Sequence, residues 1–116
     1  MNNWDDSTPI YLQLRGTVLR RILSGSLAEG EAVPSVRQVA GEEKINPLTV
    51  SKAYQMLVEE ELLEKRRGLG MYVCSGARAK ALQQERAAFL QREWPRVHQR
   101  IQDLGLDAQQ LLEVRS

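Results

Sequence analysis

Ile10, Leu14, Val18 and Ile22 recur four apart, with Leu19 and Leu23 at their flanks, and draw a single apolar stripe that predicts a helix. Thr8 is expected as its N-cap and Pro9 as its first residue, where a missing N–H costs nothing. Arg15, Arg20 and Arg21 fall off the stripe and read as solvated charges, and Ser24-Gly25-Ser26 ends the helix. Residues 27–34, rich in Gly and Glu, read as a loop or a short extended arm. A second helix opens at Ser35, with Gln38 three positions on in a capping-box pattern; Val36, Val39 and Ala40 give it a buried side, and it should end near Lys44. Asn46 and Pro47 then announce a third helix, in which Val50, Ala53, Tyr54 and Leu57 keep helical spacing. Tyr54 belongs to the core, against the first helix. The opposite face, Thr49, Ser51, Lys52 and Gln55, carries no acid until Glu59. Two short amphipathic helices joined by a few residues make a helix-turn-helix.

The period then changes. Residues 62–66 and 71–74 read as two short strands around Arg67-Gly68-Leu69-Gly70, whose glycines allow a tight hairpin with Lys65, Arg66 and Arg67 at its tip. From 77 to 104 the pattern is helical again. Leu90, Trp94, Val97, Ile101 and Leu104, alternately four and three apart, form a seam suited to a partner helix, and Pro95 should kink or split it. Gly105 can end that helix; Asp107, with Gln110 completing a box, can start a last short one. The fold class expected is mostly α with a small β-hairpin: a winged helix-turn-helix over residues 1–76, and a short C-terminal helical dimerisation segment over 77–116.

Charge adds to this picture by its placement, since the net formal charge is only +1. Ahead of Gly76, nine basic residues stand against ten acids, but many of the acids fall in two runs, Glu42-Glu43 and Glu59-Glu60-Glu61, at expected helix ends. Such a chain can still carry a basic face. A single cysteine, Cys74, excludes an internal disulfide framework and reads as a strand residue. The start Met1-Asn2-Asn3-Trp4-Asp5-Asp6 is not a signal peptide, and no apolar run is long enough for a membrane span, so a cytoplasmic protein without membrane contact is expected. One His and one Cys with no clustered loop carboxylates leave little from which to build a metal site or an active site. No enzyme activity, cofactor or metal is expected.

Three blocks carry a family likeness: Val33-Pro34-Ser35-Val36-Arg37-Gln38-Val39-Ala40, then the run from Ile45 through Asn46-Pro47-Leu48-Thr49-Val50-Ser51-Lys52 to Leu57, then the run from Leu63 through Arg66-Arg67-Gly68 to Val73. In this order and spacing they resemble the DNA-binding domain of GntR-family regulators, and the helical tail is similar to that of the YtrA subfamily. The resemblance implies a DNA-binding homodimer held by two C-terminal helices. It also implies a repressor of its own operon, often one encoding an ABC transporter. By position it implies that Arg37 meets a phosphate or base, and that Asn46, Leu48, Thr49, Ser51 and Lys52 lead the recognition helix into the major groove. Arg66, Arg67 and Gly68 would carry the wing into the minor groove. Leu48 stands where the family commonly has a polar residue, and Lys44 and Glu61 stand where glycines often follow the second and third helices.

The chemistry suits that reading. Small hydroxyls at Thr49 and Ser51 let a helix approach base edges, Arg37 and Lys52 would neutralise phosphates, and a glycine-hinged arginine is slim enough for a narrow groove. An alternative is a winged-helix module that binds another protein, although such modules usually lose both the basic wing and the uncharged helix face. The tail leaves no room for a dedicated effector cavity. Any small-molecule effector, of unknown identity, would have to bind between subunits or at the domain junction, and would act by changing the angle between the two DNA-binding heads.

Overall fold

The computed structural model describes residues 4–113, so the Met1-Asn2-Asn3 part of the N-terminal reading lies outside the described residues. The chain divides into two compact units, Met1–Leu82 and Gln83–Ser116. The first runs past Gly76 because Ala77 and Ala81 have no exposed surface and complete its core.

In the first unit α1 (Ile10–Ser24) and α2 (Val36–Glu43) each pack on α3 (Pro47–Glu59). Leu14, Val18, Leu19 and Ile22 of α1 and Val50, Ala53, Tyr54 and Leu57 of α3 are buried together, as the apolar stripes required. The start of α1 differs by one residue from expectation. Pro9 is the N-cap rather than the first helical residue, and no side chain caps the helix. Instead the Pro9 carbonyl accepts from Leu12 and Gln13, and the Gln13 side-chain amide donates to Thr8 O at 2.7 Å. Helix α2 starts as read, with Ser35 Oγ accepting from Gln38 N–H at 3.0 Å. Only half of the box forms, since the Gln38 amide donates to Glu42 instead.

Both α2 and α3 leave through the same backbone device. Ile45 N–H donates to Ala40 O and Leu62 N–H to Leu57 O, bonds that close only if the residue between is left-handed. Those residues are Lys44 (φ 56°) and Glu61 (φ 61°), the two non-glycine residues with positive φ among the described ones. They stand where the family often has glycine, and each costs on the order of 1 kcal/mol of backbone strain. Lys44→Gly, whose side chain is exposed, is therefore expected to raise stability by about 0.5–1 kcal/mol. Thermal unfolding should show it as an increase of several degrees, and an unchanged or lower midpoint would contradict it.

Strands β1 (Leu63–Arg66) and β2 (Gly70–Val73) pair antiparallel, Leu63 opposite Val73 and Arg66 opposite Gly70. The arm at 27–34 adds a third, short pairing: Ala32 bridges Tyr72, and Val33 N–H donates to Met71 O. Helix α4 (Ala77–Ala88) has its first turn capped from far away in sequence, since Glu29 accepts from Gly76 N–H at 2.8 Å and Arg78 N–H at 3.2 Å. These backbone donors, Gly76 first, hold the Glu29 carboxyl below its usual range.

In the second unit the expected break at Pro95 takes a specific form. Phe89–Glu93 is a π-helical turn, with Trp94 N–H donating to Phe89 O, and α5 (Trp94–Asp103) continues from it. Pro95 has no N–H to offer the carbonyl four residues back and its ring crowds that carbonyl, so the turn widens by one residue and the helix survives. Gly105 (φ 67°) closes α5, with Leu106 N–H donating to Ile101 O. Asp107 caps α6 (Ala108–Leu112) through Gln109 N–H rather than through a box with Gln110. No residue of α5 or α6 is buried; Leu90, Trp94, Val97 and Leu104 are exposed and Ile101 is half-buried. Phe89, Trp94 and His98 form a stacked row, with centroids 6.5 Å and 5.6 Å apart. Among the described residues no helix is long and apolar enough to cross a membrane.

Candidate nucleic-acid interface

Helix α3 positions most of the candidate residues, and its start is fixed locally. Asn46 is extended, its Oδ1 accepts Leu48 N–H at 2.8 Å, and Pro47 occupies the first turn. Register is fixed by the buried side: Tyr54 donates its hydroxyl to Pro34 O at 2.6 Å, and burial pushes that phenol up to about 12. The opposite side is consequently turned to solvent. Leu48, Ser51, Lys52 and Gln55 are exposed and Thr49 is half-buried. Lys52 lies with its Nζ 4.0 Å from the centre of the Tyr11 ring, a cation–π contact that restrains the ammonium at the edge of α1.

Arg37, in the first turn of α2, is exposed and takes part in none of the ion pairs among the described residues. The same holds for Lys65 and Arg67. Arg66 is different. Its guanidinium pairs with Glu64 at 3.0 Å and lies 4.2 Å from the Tyr72 ring centre, so it is held along the strand rather than free at the tip. Arg67 and Gly68 form the turn itself, closed by Leu69 N–H donating to Arg66 O at 2.9 Å with Gly68 at φ 76°. Leu69 is 69% exposed at that tip.

Two acids of the run after α3 are held in ion pairs. Glu60, just past α3, is clamped by Arg15, with Nε to Oε1 at 2.9 Å and the terminal nitrogen to Oε2 at 2.6 Å. Arg15 is therefore not the solvated charge that its place off the α1 stripe suggested; α1 brings it against the end of α3. Glu61 accepts from Lys80 at 2.6 Å, which holds its carboxyl below the usual range. The first two turns of α3 stay free of acid. Cys74 lies one residue past β2 rather than in the strand as the sequence suggested; it is half-buried, and burial raises its thiol, which suits a packing residue.

Residues 10–73 match the family described as bacterial regulatory proteins, gntR family. The chain belongs to this family. A GntR protein of this kind is a transcriptional regulator with a DNA-binding domain, not an enzyme. The chain is 42% identical to the HTH-type transcriptional repressor YtrA of Bacillus subtilis over 62% of its own length and 55% of that protein. It is 28% identical to the HTH-type transcriptional regulator YhcF of the same organism, over 97% of this chain and 91% of that one. A solved GntR-family regulator from Listeria monocytogenes superposes with a TM-score of 0.78 at 26% identity, covering 95% of each chain. The likeness to that GntR regulator thus extends through the C-terminal helices, beyond the matched DNA-binding segment.

Proposed function

We propose that the chain is a cytoplasmic homodimeric repressor that binds an inverted-repeat operator, with its own operon, and ABC-transporter genes within it, as the target. Major-groove readout falls to Asn46, Leu48, Thr49, Ser51 and Lys52, phosphate contact to Arg37, and minor-groove entry to Arg67 and Gly68, with Arg66 along the wing. The supporting observation is the outer face of α3, acid-free until Glu59 and with Leu48, Ser51 and Lys52 exposed, in a unit whose wing tip carries Arg67, which is exposed and in none of the ion pairs among the described residues. Two copies on a two-fold axis would present two such helices to successive grooves. The apolar, solvent-facing row on α5 supports pairing through the second unit.

Fluorescence anisotropy on duplex from upstream of its own gene, against random duplex, tests this reading. Arg67→Ala is expected to weaken binding about tenfold or more, and Lys52→Ala to lower the slope of log affinity against log salt by about one. Equal affinity for the upstream and random duplexes would sink the operator reading.

A further inference from the structure

We propose that Leu48 is a specificity residue that reads the 5-methyl group of a thymine in each half-site. The inference rests on the DNA-binding reading above and goes past it to one chemical group on one base. Leu48 is in the first turn of α3 and is 76% exposed, so it adds almost nothing to the core. Its backbone N–H is already taken by Asn46 Oδ1, leaving the isobutyl group as all that it can offer a partner. Its neighbours on the outer face, Thr49, Ser51 and Lys52, are small or cationic, which suits a polyanion and not an apolar protein groove.

The first turns of a recognition helix meet base edges in the major groove. Adenine, guanine and cytosine present hydrogen-bonding groups there, and each would lose water to Leu48 without gaining a partner. Thymine alone among the four bases presents a methyl group, which gains from apolar contact. A leucine at this position therefore favours thymine and disfavours the other three.

The test takes wild type and Leu48→Ala through selection from a randomised duplex library. Each selected thymine is then replaced by deoxyuridine, which removes the methyl group and leaves every hydrogen bond intact. Wild type should enrich one thymine per half-site that Leu48→Ala does not, and should lose roughly fourfold in affinity for each such thymine replaced by deoxyuridine. Leu48→Ala should bind the two duplexes equally and melt at the wild-type temperature. A thymine preference retained by Leu48→Ala, or an equal loss by both proteins on deoxyuridine, would overturn the proposal. If wild type enriches no sequence at all, the operator reading itself falls, and the assignment of Leu48 falls with it.

Discussion

Val97→Asp is expected to convert the proposed dimer to a monomer and to cost about a hundredfold or more in affinity for the proposed operator. The second unit cannot satisfy its own apolar residues: Leu90, Trp94, Val97 and Leu104 are exposed, and no residue of α5 is buried. Trp94, Val97, Ile101 and Leu104 share one side of a regular helix, while Leu90 sits inside the widened π turn. Val97 is clear of that turn and 47% exposed, so a carboxylate there is tolerated by an isolated chain. Inside a helix–helix interface the same carboxylate would be buried without a partner, which costs several kcal/mol. Once the two heads are no longer linked, the gain from simultaneous half-site binding, typically 10²–10⁴, is lost. Sedimentation equilibrium reads the first effect and anisotropy the second. A wild-type monomer, or a Val97→Asp dimer of full affinity, would remove the second unit from any role in pairing.

Features that depend on a few neighbouring residues were legible in the sequence, and those that depend on distant approach were not. The Ser35 and Asn46 caps, Pro47 at the start of α3, the burial of Tyr54 and the glycine-hinged turn follow from local spacing, and the structure has them there. The strained exits at Lys44 and Glu61 were legible as departures from the family pattern, and their positive φ shows what the departure means physically. By contrast, Glu29 caps α4 from 47 residues away and Arg15 reaches Glu60 across 45, and no local pattern encodes either pair. The arm joined β2 for the same reason, since its pairing depends on where the hairpin lies. At Pro95 the sequence indicated an interruption but not its kind. Whether a helix bends, breaks or takes up an extra residue depends on how the neighbouring carbonyl can be accommodated. For the candidate interface, residue type and helix face were readable, whereas the engagement of Lys52 with Tyr11 and of Arg66 with Glu64 and Tyr72 needed the folded chain.

Leu57→Ala is expected to lower the free energy of unfolding by about 3 kcal/mol, within a usual range of 2–5. Leu48→Ala, the same chemical change on the same helix, should stay within about 0.5 kcal/mol of wild type. The two leucines are nine positions apart, roughly two and a half turns, which puts them on opposite faces of α3. Leu57 has no exposed surface, and its truncation leaves a cavity among close-packed side chains that relax only in part. A domain of this size has about 5–15 kcal/mol of stability, so such a loss is a large share of it. Urea unfolding should show the midpoint falling sharply for Leu57→Ala with an unchanged slope, since the surface exposed on unfolding is nearly the same. At a temperature where Leu57→Ala is still folded it should keep wild-type sequence preference, because its side chain faces away from the duplex. One face of α3 would then carry the fold and the other the recognition, and a Leu57→Ala protein with altered base preference would show that the two faces are coupled through the helix.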